Sequence, residues 1–338
     1  MKEAVTIKEI ARRLMISPST VSRALQDHPR ISVATKQAVR ALAEELKYLP
    51  STTARNLRQG KTGMIGVVLP EIRENFFSEV LNGVEAIAFD RNYTVALYQS
   101  HDRYDREKQI LDVLAAQRVD GVLLSVAKES RRFEHIQRLI DLQIPVVLFD
   151  RIPPDIRTHQ VSCDMEKGAY EAIKWLAGRG HRRIALLNGP HPLVASEERY
   201  RGYINALLEE ELPVENALIK RVDLTRADIH QKMAQLLALP EPPDAVLAFN
   251  DYVALDAMQV CRTQGLRMNQ DIVFVSFANL PLNAYLEQPP MASVEQHPFL
   301  IGQTAASILM EVVQAKEPVT DWKQVMLEPK LVLHNGQG

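Results

Sequence analysis

Residues 16–25 read ISPSTVSRAL, and within them Ser17, Ser19, Thr20 and Ser22 crowd short hydroxyl side chains around a single guanidinium, Arg23. Groups of this size and polarity suit base edges and phosphate oxygens. No catalytic motif accompanies them. The chain has no G-x-G-x-x-G, no G-x-x-x-x-G-K-[ST], no G-x-S-x-G and no H-E-x-x-H. Its nine histidines show no metal-ligand spacing. His181, in GRGHRRIAL, reads as structural, and Asp150 ends an apolar run with no second carboxylate close in sequence. The expectation is a binding protein rather than an enzyme, without cofactor or metal.

What positions the hydroxyls is a helix. Ser17 is a good N-cap, which places Pro18 at the first helical position, where its missing N–H costs nothing. Val21 and Leu25 then face inward, with Ala24 small enough for close approach, and the polar residues are left outside. Before it, TIKEIARRLM carries Ile7, Ile10, Ala11 and Leu14 at helical spacing, and Thr6 with Glu9 has the spacing of a capping box. After it, a helix opening at Ser32 offers Val39, Leu42, Ala43 and Leu46. Helix, tight turn, helix, loop, helix is the plan of a helix-turn-helix module over residues 1–49. A segment at 50–62, with only Ala54 and Leu57 apolar in STTARNLRQGKTG, is too short and polar to hold a helix unaided. Packed against the same segment of a partner chain on DNA it could form a helix, and Arg55, Arg58 and Lys61 would then lie near phosphates.

Charge points the same way. Residues 1–61 hold 12 Lys/Arg against 5 acids, a net +7, while the remaining 277 residues hold 28 against 37, a net −9. A basic head on an acidic body fits polyanion binding by the head alone. The N-terminus has no apolar signal-peptide core, and no run of about 18 apolar residues suggests a membrane span. Cys163 and Cys261, the only cysteines, read as ordinary thiols in a reducing compartment, so the expected location is the cytoplasm.

From residue 64 short apolar runs (MIGVVLP, TVALYQS, VDGVLLSV, IPVVLFD) alternate with helical stretches, and the pattern restarts near residue 164 with RRIALLNGP, DAVLAFND and DIVFVSFAN. Continuous apolar strands between helices imply parallel sheets covered on both faces. Two such sets imply two subdomains, with ligands bound beyond the carboxyl ends of the strands, in a cleft that can close.

TIKEIARRLMISPSTVSRAL followed by KYLPSTTARNL closely resembles the DNA-binding head of LacI/GalR-type bacterial repressors, and the resemblance runs to about Val332. It implies an all-α helix-turn-helix head on an α/β body of two Rossmann-like subdomains of periplasmic-binding-protein type. The expected divisions are 63–162 with 293–324, and 163–292 with 325–338. The resemblance implies a homodimer that regulates transcription on a near-palindromic double-stranded DNA operator, controlled by a small-molecule effector such as a sugar or acidic sugar derivative. A solute-binding protein, the rival reading, would share the body but not the basic head.

The DNA-binding set it implies is Thr6, Ser17, Pro18, Ser19, Thr20, Ser22 and Arg23 in the head. In the hinge it adds Ala54, Arg55, Arg58 and Leu57, the last as the leucine wedged into the minor groove. The effector-binding set is Phe76, Phe77, Arg151, Arg199, Leu224, Asn250, Asp251, Ala278 and Asn279. One position departs from the pattern: where many relatives end a strand with G-[YF]-D-[DN], this chain reads SFAN, with Ala278 in place of the acid. That loss, beside Arg151 and Arg199, favours an acidic sugar or phosphorylated metabolite. No tetramerisation helix follows LVLHNGQG, which leaves a dimer as the expected assembly.

Overall fold

The computed structural model describes residues 6–48, 61–191, 193–315 and 321–334. It divides into two compact units, 1–62 and 63–338. The hinge positions Ala54, Arg55, Leu57 and Arg58 lie outside the described residues.

In the first unit α1 (Ile7–Arg13), α2 (Pro18–Leu25) and α3 (Val33–Glu45) close on a small core of Ile10, Ala11, Val21, Ala24, Val39 and Ala43. Leu25, Leu42 and Leu46 pack half-buried at its edge. Ser17 and Ser32 cap their helices through backbone N–H groups of Thr20 (3.1 Å) and Thr35 (3.2 Å). The capping box expected at Thr6 and Glu9 does not form. Thr6 is the N-cap residue, but its side chain makes no capping bond. Glu9 instead accepts from Arg12 at 2.7 and 3.0 Å and from Arg13 at 3.2 Å. Two charge-assisted partners outcompete a single backbone N–H.

The tight turn between α1 and α2 runs through Met15, which has a left-handed φ of 52° and is 92% exposed. A Cβ in that conformation costs about 1 kcal/mol, and the exposed side chain offsets little of it. Met15→Gly is therefore expected to slow amide exchange in α1 and α2 about fivefold, read by native-state hydrogen exchange.

The second unit holds two six-stranded sheets. The first contains β1 (Met64–Leu69), β2 (Thr94–Gln99), β3 (Gly121–Leu124), β4 (Val146–Phe149), β5 (His159–Cys163) and β11 (Gln324–Leu327). Its order is β11-β5-β4-β3-β1-β2, all parallel. The second contains β6 (Ile184–Asn188), β7 (Ile219–Arg221), β8 (Ala245–Ala248), β9 (Val273–Phe277), β10 (Ala292–Glu295) and β12 (Lys330–Leu333). Its order is β12-β10-β9-β8-β6-β7, with only β12 antiparallel.

The helices cover these sheets: α4 (Asn75–Asp90), α5 (Tyr104–Gln117) and α6 (Glu134–Asp141), then α7 (Met165–Gly178), α8 (Val194–Glu209), α9 (Arg226–Leu237), α10 (Asp251–Thr263) and α11 (Pro298–Gln314). Central strands such as β3, β4, β6 and β8 are buried along their whole length, as their unbroken apolar sequence requires. In each sheet the strand order reverses beside the first strand, β1 or β6, so both sheets open their crevice at the carboxyl ends of these strands.

One apolar core joins the two sheets, running from Val67, Phe77 and Phe149 to Leu186, Tyr203 and Phe277. The chain crosses between the sheets three times, after β5, after β10 and between β11 and β12. Cys163 and residues 325–327 thus pair in the first sheet, and residues 293–295 in the second. Each crossing falls beyond the divisions expected at 162, 292 and 324, because the paired strands β5, β10 and β11 run through those points. At the second crossing α11 packs so closely on α4 that a Cβ on Gly83 would stand 2.1 Å from the Phe299 carbonyl oxygen. A bulkier residue there would separate the two helices.

Candidate functional site

On the head, the N-terminal turn of α2 presents Pro18 and Ser19 to solvent while Val21 and Ala24 face the core. The Ser17 hydroxyl lies 2.7 Å from that of Ser19 and 2.8 Å from that of Thr20, which fixes three hydroxyls into one cluster. Ser22 is half-buried on the next turn, and Arg23 is exposed. Arg12 and Arg13 are paired with Glu9, and Lys36 and Arg40 with Asp27. Hydrogen bonds from those cations hold both carboxyls below their usual range. Arg23 has no carboxylate partner among the described residues, so its charge is available to an external anion.

In the body, a cavity of about 80 Å³ lies between the two sheets at the strand carboxyl ends. The first sheet's side supplies Glu74, Phe76, Phe77, Asp150 and Arg151, and the second supplies Arg199, Phe249, Asn250 and Ala278. Arg199, on α8, is its centre. It is 4% exposed, and its guanidinium stacks between the rings of Phe249 and Phe277, 4.1 Å from each centroid. Its Nη2 reaches only the Met165 sulfur at 3.7 Å, and Nε and Nη1 have no partner. Burial lowers its pKa to about 10, with Asp150 opposing, so it remains a cation at neutral pH. An unpartnered buried guanidinium carries a desolvation cost that acceptor oxygens would relieve.

Asp150 follows β4 with a left-handed φ of 60°. Burial pushes its carboxyl upward, while Arg151 and Arg199 pull it back. Arg151 is already engaged: it donates to Asp102 and lies 5.7 Å over the Phe77 ring. Phe76 and Phe77 meet edge to face at 5.2 Å. Phe77 is 1% exposed and belongs to the core, whereas Phe76 is half-buried. Glu198, beside Arg199 in sequence, is pushed up to about 7 by burial, against Arg201 and Arg199.

That shift has a definite sign. A carboxyl whose folded pKa lies above its unfolded one costs nothing while both states are protonated, and costs stability as pH rises through the window from about 4.5 to about 7. Glu198→Gln is expected to raise Tm at pH 8 and leave it unchanged at pH 4, measured by scanning calorimetry.

Three residues expected in the cleft lie elsewhere. Asp251 is completely buried, and its carboxylate accepts from Ser276, from Ser293 (2.7 Å), from the Leu280 N–H (2.6 Å) and from Asn283 (3.0 Å). Four donors leave it nothing to offer a ligand. Leu224 follows β7 with φ 71° and packs on the cluster behind the second sheet. Asn279 donates to Glu295 at 2.7 Å and lines an outer groove, not this cavity. Asn250 caps α10, accepting from the Val253 N–H at 2.9 Å, and also lines the cavity. Ala278 lines it with φ 95°. Phe249, Gln296 and Met165 had no local signal, although Phe249 stands at the end of an apolar run immediately before Asn250. Among the described residues no cluster of His, Cys, Asp and Glu could hold a metal ion, and no helix is long and apolar enough to cross a membrane.

A helix-turn-helix head and a two-sheet body closing on a buried, unsatisfied arginine define a DNA-binding regulator that responds to a small molecule. Residues 6–51 match the model of bacterial regulatory proteins of the lacI family, and residues 62–327 match that of periplasmic binding proteins and the sugar-binding domain of the LacI family. The chain belongs to the LacI family of transcriptional regulators. It is 31% identical to the transcriptional repressor CytR of Escherichia coli, over 93% of this chain and 91% of that one. To the repressor PurR of Vibrio parahaemolyticus it is 30% identical, over 98% of both chains. Among solved structures, the CelR regulator in complex with cellobiose aligns with a TM-score of 0.73 and 29% identity over 98% of this chain and 99% of that one. The Lac repressor dimer bound to operator aligns with a TM-score of 0.86 at 23% identity over 98% of both chains, which bears on the fold alone.

Proposed function

We propose that this regulator binds a near-palindromic operator as a homodimer and that its effector is an oxygen-rich acid, an acidic sugar or close derivative, held by Arg199. The observation that carries the effector reading is the guanidinium stacked between Phe249 and Phe277 with two nitrogens unpartnered. Asp150 supplies an acceptor for ligand hydroxyls, Phe76 an apolar wall, and Asn250 and Gln296 neutral polar contacts. Arg151, Phe77 and Ala278 shape the wall without an unsatisfied charge. Ala278 standing where relatives carry an acid leaves Arg199 less compensated, which favours an anion over a neutral sugar.

On the DNA side, Pro18 and Ser19 face the bases, with Arg23 one turn further on. Thr6, Ser17, Thr20 and Ser22 fix the helix against the backbone, and Arg55 and Arg58 lie near phosphates. Leu57, with Ala54 beside it, wedges into the minor groove at the dyad. The protein acts in the cytoplasm, where operator and metabolite meet, and performs no catalysis. Leu57→Ala is expected to weaken operator binding at least tenfold more than binding to random duplex, measured by mobility shift at fixed salt. Equal losses on both would remove the wedge from the account. For the effector, thermal shift against uronic acids, sugar phosphates and neutral sugars tests the charge preference: a ligand near 100 times its Kd stabilises by about 2.7 kcal/mol.

A further inference from the structure

A second, larger cavity of about 260 Å³ adjoins the first, sharing Arg151 and Leu193 with it. It lies beyond the carboxyl ends of β3 and β4 and is walled on its far side by the start of α8, so it spans both sheets. Its wall is apolar: Val126, Phe133, Ile152, Pro153, Leu193 and Val194. Its rim is cationic. Lys128 and Arg151 both pair with Asp102, and Arg151 also lies 3.9 Å from Asp150. Arg131 donates to the carbonyls of Lys128 (2.6 Å) and Ser130 (3.0 Å) and has no carboxylate partner among the described residues.

The compartment is pre-formed. Glu107, completely buried, accepts from the Ala127 N–H (2.5 Å) and the Ser130 hydroxyl (2.7 Å) and lies 2.8 Å from His135 Nε2. Those bonds pin the loop that carries Val126 to Arg131. An apolar cavity of about 150 Å³ already accepts benzene, so a space of about 260 Å³ takes a ring with a substituent. Arg131, the one of these three cations without a carboxylate, makes the substituent an acid.

We propose that this outer cavity is a second ligand compartment, for an aromatic or cycloaliphatic carboxylate, with the ring on the apolar wall and the acid on Arg131. The inference rests on the cleft being an effector site, and extends it: the effector is either a two-part molecule reaching outward from Arg199, or it shares the cleft with a separate ring acid.

The test is isothermal titration of the full-length protein with benzoate, phenylacetate and cyclohexanecarboxylate, in the wild type and in Val194→Asp. Val194 is 43% exposed at the first position of α8, where an aspartate suits the helix N-terminus, so the variant is expected to fold. At least one acid is expected to bind the wild type with a Kd of about 1 mM or tighter and to lose at least about tenfold in Val194→Asp, and likewise in Arg131→Glu. No binding up to about 20 mM, or binding kept in Val194→Asp, overturns the proposal. Failure of the effector reading itself would look different: a ring acid bound in the outer compartment while operator affinity stays the same with every cleft ligand.

Discussion

Arg199→Met is expected to abolish the response to effector while making the ligand-free protein more stable. The two effects have one cause. In the free protein the guanidinium is buried, touches two phenyl rings and a thioether, and leaves Nε and Nη1 without acceptors. Methionine keeps the unbranched shape and the contact with Phe249 and Phe277 but removes the unsatisfied charge. Replacing buried charge by an apolar residue of similar volume commonly stabilises by about 1–4 kcal/mol. Part of that gain is lost here, because Arg199 offsets some of the upward push that burial gives the Asp150 carboxyl. A net rise of about 1 kcal/mol in unfolding free energy, read by urea titration, is the expected outcome. Ligand affinity is expected to fall at least about a hundredfold, the usual scale for removing one side of a buried charge-assisted contact. A variant less stable than wild type that still bound effector would mean that Arg199 is a packing residue.

Arg23→Ala is expected to weaken operator binding by about 1–3 kcal/mol and random-sequence binding by much less. The contrast with its neighbours is structural. Arg12 and Arg13 are tied to Glu9, whereas Arg23 stands exposed one turn beyond the hydroxyl cluster of Ser17, Ser19 and Thr20. A base contact concentrates the loss on one operator position. A pure phosphate contact would spread it evenly and lower the salt slope by about one. Anisotropy titrations on operator and scrambled duplexes at several salt concentrations separate the two outcomes.

Much of this was legible because the relevant physics is local. Pro18 after Ser17 announces a helix start, and the structure places the cap bond there. Unbroken apolar runs announce parallel strands buried on both faces, and the two sheets contain them. Local spacing failed where stronger distant partners compete. Glu9 has the spacing of a capping box but meets two arginines on its own helix face. Asp251 follows a strand end, as a ligand-binding acid should, yet Ser276, Ser293 and Asn283 arrive from later segments and saturate it. The stacking of Arg199 between Phe249 and Phe277 was invisible in sequence for the converse reason: three separated segments converge on it.

Regulation by this protein requires coupling between the cleft and DNA binding. By linkage, a ligand that shifts operator affinity must have its own affinity shifted by the same factor. The direct measurement is operator affinity by fluorescence anisotropy, with and without an acid ligand found by thermal shift, in wild type and Arg199→Met. A change of about fivefold or more is expected in wild type and none in Arg199→Met. A ligand that binds the wild-type cleft yet leaves operator affinity unchanged, or one that acts equally on Arg199→Met, would contradict it.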